Sequence, residues 1–132
     1  MLLAAVGLPE LEGQAVRPEQ GLLGLRRELG VYANLRPARA EGIDLVIVRE
    51  LVGGLYFGEK GTREDGTWFD TCEYTPVQIE RVVRRAYRFA QSRSGRLASV
   101  DKANVLETSR LWRRTVNALA GDYPDVHVEH VL

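Results

Sequence analysis

The chain has 132 residues and a mass of 14.8 kDa, enough for one domain. Eighteen basic and eighteen acidic side chains cancel, which removes any general attraction to nucleic acid or an anionic membrane. A single cysteine, Cys72, excludes an internal disulfide framework and a cysteine-rich zinc cluster, and no apolar run approaches the roughly 20 residues that span a bilayer.

In chain order, Met1 to Val6 has no basic flank and is too short for a secretory signal, so a cytoplasmic setting is expected. Within it, Leu2 to Val6 reads as a short buried parallel strand. Gly7, Pro9, Gly13 and Pro18 mark a loop. From Pro18 to Leu29 the pattern is helical, with Leu22, Leu25 and Leu29 in one stripe, Leu23 on its flank and Gly30 as the terminating residue. Val31 to Arg36 reads as a strand stopped by Pro37. Ile43 to Val48 is the clearest buried strand, apolar and β-branched with only Asp44 interrupting.

After Gly53 and Gly54 comes an aromatic-rich stretch, Leu55 to Tyr74, with a turn-like Glu64-Asp65-Gly66 at its middle. It reads as a long hairpin that lacks the apolar alternation to bury both faces within a small monomer, so a second copy is the economical partner. Thr75 and Pro76 supply N-cap and first-turn chemistry for a helix reaching about Ser92. Its buried stripe is Ile79, Val82, Val83, Ala86 and Ala90, and Arg81, Arg84, Arg85 and Arg88 form an opposite basic stripe, read as solvated or subunit-facing. Leu97 to Val100 is a short strand, Thr108 or Ser109 caps a third helix through Leu119, and Val126 to Leu132 is a final strand. Helices alternating with apolar strands predict an α/β fold with a small sheet and about three helices.

Sixteen of the eighteen basic residues are arginine, so Lys60 and Lys102 are unusual choices. Arg36 and Arg49 end predicted strands, the sheet edge where ligands of open α/β folds bind, and converging arginines there would clamp carboxylates. A tyrosine and a lysine in the same cleft would supply a general acid and base.

In this order the motifs GLLGLRREL, ANLRPAR, VRELVGGLYFGE and SVDKANVLETSRLWR resemble the β-decarboxylating dehydrogenases that act on isopropylmalate, isocitrate and tartrate, and most of all the isopropylmalate branch. The resemblance covers nearly the whole chain, as a central fragment of that family. It implies that Arg26, Arg36 and Arg49 hold the malate carboxylates, and that Glu19, Leu22 and Leu23 line the pocket for a branched alkyl group. Tyr56 would protonate the enol left by decarboxylation, and Lys102 would assist removal of the hydroxyl proton as hydride passes to NAD. Asn104 would lie near the nicotinamide. The implied cofactors are NAD and Mg2+ or Mn2+. The implied partner is a second copy, joined through the hairpin arm (about 54–75) and the helices, with the counterpart of Lys102 entering the neighbouring subunit's site. Residues 1–30 would be a remnant of the nucleotide-domain strand and helix, and 31–132 the substrate and dimerisation domain, together a single incomplete domain.

The departures carry expectations too. The glycine-rich turn and adenosine loop of the family's nucleotide domain have no counterpart here, and its metal-binding aspartates fall beyond Leu132. His127 and His130 do not replace them, because their spacing puts them on opposite faces of a strand. The chain alone is therefore expected to be inactive. The alternative is a non-catalytic dimerising module that binds a dicarboxylate through Arg26, Arg36 and Arg49. Ala40-Glu41-Gly42 also replaces a longer family connection. Three residues suit antiparallel neighbours but not a parallel crossover, so either a hairpin forms there or the local fold is disturbed.

Overall fold

The computed structural model describes residues 18–132, with side chains from Gly21 onward. The expected strand Leu2–Val6 and the side chain of Glu19 lie outside the described residues. The elements run α1 (Pro18–Glu28), β1 (Ala33–Ala40), β2 (Ile43–Glu50), β3 (Lys60–Thr62), β4 (Trp68–Asp70), α2 (Pro76–Gln91), β5 (Arg96–Val100), α3 (Glu107–Leu119) and β6 (His127–Val131). This is the α/β fold expected, with three helices, but its strands form three two-stranded pairs: β1–β2 and β3–β4 antiparallel, β5–β6 parallel. No described helix is long and apolar enough to cross a membrane.

The short connection resolves as a hairpin. Ala40 pairs with Ile43, and Gly42 takes the left-handed conformation (φ 72) that the turn demands. Pro37 does not stop β1, which continues to Ala40 with Pro37 opposite Val46. Among the described residues β1 has a neighbour on one side only, and a strand edge without a partner tolerates a residue without an N–H. Arg36 consequently lies inside β1 rather than at its end.

The core is the inner face of α2 against α3 and the β5–β6 pair: Ile79, Val82, Val83, Tyr87, Ala90, Val116, Leu119, Tyr123 and Val126. Helix α2 begins where its sequence says it should. Thr75 Oγ1 accepts from the Gln78 amide at 3.3 Å while the Thr75 amide donates to Gln78 Oε1 at 2.8 Å, a reciprocal cap. Tyr87, absent from the expected stripe, is fully buried. Its hydroxyl donates to the Val116 carbonyl at 2.8 Å and its ring stacks on Tyr123 at 4.6 Å, so the polar tip is satisfied inside the core.

Three further expectations change. Arg81 of the basic stripe is drawn inward to Glu50 at 3.3 Å, and Arg84 bonds Glu80 and Asp122, both at 2.9 Å; Arg85 and Arg88 stay exposed. Helix α3 starts at Glu107 with Leu106 as its N-cap and no side-chain cap, two or three residues earlier than a Thr108 or Ser109 cap would allow. The Lys102 carbonyl, which accepts from the Val105 and Leu106 amides, instead sets the entry angle. The aromatic hairpin is shorter than Leu55 to Tyr74: Gly54–Tyr56 is a 3-10 turn, and only three residues on each side pair as β3 and β4.

Candidate active site

The β1–β2 register decides which of the candidate side chains share a surface. Asn34 pairs with Arg49, and Arg36 lies two residues along β1 from Asn34, so Asn34, Arg36 and Arg49 point to one face of the hairpin. Arg36 Nε donates to Asn34 Oδ1 at 2.7 Å, tying the β1 partner of Arg49 to the second guanidinium. The opposite face, with Ala33, Val48 and Glu50, turns towards the core.

Beyond β2 the chain makes a tight turn held by Glu50. Its side chain is only 2% exposed, and Oε2 accepts from the amides of Val52 (2.9 Å) and Gly53 (2.7 Å) while Oε1 meets Arg81. A carboxylate buried this deeply stays because an amide pair and a guanidinium satisfy it. The ring of Tyr74 covers the turn so closely that a Cβ on Gly53 would stand 2.7 Å from it, and Gly54 has φ 71. The 3-10 turn that follows presents Tyr56 beneath Arg49, whose guanidinium carbon lies 5.3 Å from the ring centroid. Lys60 Nζ donates to the carbonyls of Leu55 (3.3 Å) and Tyr56 (3.2 Å) and so pins the end of that turn.

Arg49, Tyr56, Tyr74, Cys72 and Asp101 line a cleft of about 500 Å³ between this turn and the start of α3. Burial raises the Tyr74 hydroxyl above its ordinary pKa, with Cys72 and Glu50 adding to the rise and Arg49 opposing it. Asp101 is buried (1% side-chain exposure) and receives both arms of Arg113, Nε to Oδ2 at 3.0 Å and Nη2 to Oδ1 at 2.9 Å. It also accepts the Ala103 amide at 2.9 Å, which shapes the turn bearing Lys102 and Asn104. Burial pushes the Asp101 carboxyl up, but Arg113 and the Ala103 amide outweigh it and hold the carboxyl below 3.8.

The candidates therefore divide. Arg49 and Tyr56 meet in the cleft, and Arg36 shares the Arg49 face. Arg26 lies half-buried on α1 with Leu22 and Leu23, and no hydrogen bond among the described residues links it to the others. Lys102 and Asn104 are exposed on the turn after β5 and do not line the cleft, although the adjacent Asp101 does. Within one protomer the ammonium and the phenol are not brought together. Glu50 and Arg113 have no role in the sequence reading, and Lys60 stands there only as an unusual lysine. The available signals were the choice of lysine at position 60 and the acidic residue closing an apolar strand at position 50. Among the described residues no group of three or more His, Cys, Asp or Glu side chains gathers to hold a metal ion.

The model of the isocitrate/isopropylmalate dehydrogenase family matches residues 1–132. A 3-isopropylmalate dehydrogenase of Shouchella clausii is 49% identical over 154 aligned positions, covering all of this chain and 42% of that protein. One from Clostridium pasteurianum is 46% identical, covering 99% of this chain and 43% of the relative. Among solved structures, the isocitrate dehydrogenase of Methylococcus capsulatus superposes with a TM-score of 0.79 at 29% identity, over 91% of this chain and 39% of that one. A Thermus thermophilus protein superposes with a TM-score of 0.80 at 26% identity, over 89% of this chain and 26% of its own. The chain thus spans less than half the length of the curated relatives it matches. Alignments longer than the chain itself, 154 positions against 132 residues, mean that the relative carries extra residues inside the shared stretch, in keeping with a shortened connection.

Proposed function

The chain belongs to the isocitrate/isopropylmalate dehydrogenase family, and from that premise we infer that it carries the substrate side of a 3-isopropylmalate dehydrogenase site. The observation that supports this most directly is Arg49 seated over Tyr56 at 5.3 Å, with Arg36 on the same face of the hairpin. Two guanidinium groups on one face offer forked donors that suit the carboxylates of a malate-type di-acid, and Arg26 adds a third. Leu22 and Leu23 make up the surface for the branched alkyl group.

In this reading Tyr56 hands a proton to an enol carbon beside the Arg49-bound carboxylate. Lys102 and Asn104 stand away from Tyr56 in the protomer, and in this reading they serve the site of a second copy in a cytoplasmic homodimer. The exposed Trp68 on the arm (82% exposed) favours that pairing. NAD supplies the hydride acceptor in this family. Asn104 would stand beside its nicotinamide. The 132-residue chain is on this reading inactive by itself. Incubating the pure chain with 3-isopropylmalate, NAD and Mg2+ while following NADH absorbance gives no steady rate; sustained NADH formation would overturn the inference.

A further inference from the structure

Helix α1 carries Leu22, Leu23 and Arg26, yet among the described residues none of its side chains belongs to the buried core. It joins β1 through Gly30, in the left-handed conformation (φ 60), and through Val31, whose amide donates back to the Arg26 carbonyl at 3.0 Å. One side of the helix nevertheless faces the protein. Leu22 and Arg26 stand one helical turn apart, as do Leu23 and Arg27, so the four share that side. Leu22, Leu23 and Arg26 are half-buried, whereas Leu25 and Leu29 are exposed. Arg27 completes the contact: its guanidinium carbon lies 5.4 Å from the centroid of the Phe57 ring.

Phe57 directly follows Tyr56 and is a fixed platform. Its amide donates to the Gly54 carbonyl at 3.1 Å, and the Gly58 amide reaches the same oxygen at 3.0 Å. The Gly54 amide is held by the Glu73 carbonyl at 2.8 Å, and Gly58 is pressed against the Thr71 carbonyl. We propose that Arg27 is a positioning residue for substrate specificity: lying on Phe57, it latches α1 to the Tyr56 turn and holds the leucine surface against the alkyl substituent of the bound di-acid. The inference rests on the reading that Leu22 and Leu23 meet that substituent. Short apolar side chains act only in van der Waals contact, so they lose most when α1 shifts. Arg36 and Arg49 belong to the β1–β2 hairpin, and their carboxylate contacts do not need the latch.

The test compares calorimetric titrations of 3-isopropylmalate and of malate, the same di-acid without the alkyl group, into the 132-residue chain. The ratio of the two dissociation constants measures the preference for the branched ligand. Arg27→Met and Phe57→Leu each lower that preference at least fivefold, while Arg27→Lys, which keeps a cation over the ring, stays within twofold of the parent. In the proton NMR spectrum the Arg27 Cδ protons, shielded by the ring in the parent, move downfield in Phe57→Leu. Neither side chain is part of the core, so the variants are compared in the same fold. A preference that survives in Arg27→Met and Phe57→Leu, or a loss shared equally by the two ligands, overturns the latch and leaves the reading of the site standing. Unshielded Arg27 Cδ protons in the parent overturn it as well. A parent chain that binds both di-acids equally overturns the reading of Leu22 and Leu23, and the latch with it.

Discussion

Asp101 and Arg113 form a two-armed ion pair at 2.9 and 3.0 Å that joins the end of β5 to the middle of α3. The carboxylate is buried and its third bond goes to the Ala103 amide, so the pair fixes both the sheet–helix packing and the turn bearing Lys102. Removing one member of a buried pair strands the other, and Asp101→Ala is expected to cost about 3 kcal/mol in urea unfolding at pH 7. The acid dependence follows from the sign of the shift. The folded carboxyl lies below 3.8, so its contribution is complete above 3.8 and disappears as pH falls through the lower folded value. Unfolding curves taken between pH 7 and pH 2 should show a smaller loss of stability for Asp101→Asn than for the parent chain.

Glu50 plays the matching part on the other side of the cleft. Its Oε2 holds the Val52 and Gly53 amides and its Oε1 meets Arg81. A double-mutant cycle with Glu50→Gln and Arg81→Met should give a coupling of about 1 kcal/mol or more, above the usual range for an exposed pair. Additive effects would mean that the Val52–Gly53 turn needs no help from Arg81.

The hairpin arm that follows also depends on two absent side chains. A Cβ at Gly58 would run into the carbonyl oxygen of Thr71, which is backbone and has little room to yield. Gly58→Ala is expected to lower stability by about 2 kcal/mol, seen as a reduced thermal midpoint. Gly66→Ala, at a turn with φ 85 but open space around it, should cost less, because only the backbone conformation is strained.

Much of the fold was legible in the sequence. The N-cap at Thr75 with Pro76 in the first turn, the terminating glycine after α1 and the apolar stripe of α2 each follow from local chemistry, and each formed. What escaped was set by tertiary packing. Tyr87 stands outside the expected apolar stripe until the Val116 carbonyl accepts its hydroxyl, and Pro37 reads as a stop until β1 proves to continue past it. The site was legible as a list of residue types through a family resemblance, but not as an arrangement. Only the register of β1 against β2 reveals that Arg36 and Arg49 share a face, and nothing local to Lys102 says that it stands apart from Tyr56.

The arm gives a prediction about assembly. Trp68 is 82% exposed on β4, and a large aromatic surface left in water at a strand edge favours self-association. Trp68→Ser should shift the sedimentation coefficient from dimer to monomer at micromolar concentration. Unfolding of the monomer should change little, because most of the side chain is already in water.

The most direct test of the arginine-lined site is a calorimetric titration of 3-isopropylmalate into the parent chain and into Arg36→Met/Arg49→Met at low salt. The account predicts binding by the parent, weakened about tenfold or more in the double variant, since charge-assisted bonds to a carboxylate are worth roughly 1.5–3 kcal/mol each. Arg88→Met, on the exposed face of α2, should leave the titration unchanged. Enhancement by NAD and Mg2+ would favour the dehydrogenase-fragment reading, and indifference to both would favour a dicarboxylate-binding module. Equal binding by the parent and the double variant, or no heat from the parent at all, would contradict the claim that these guanidinium groups form a di-acid site.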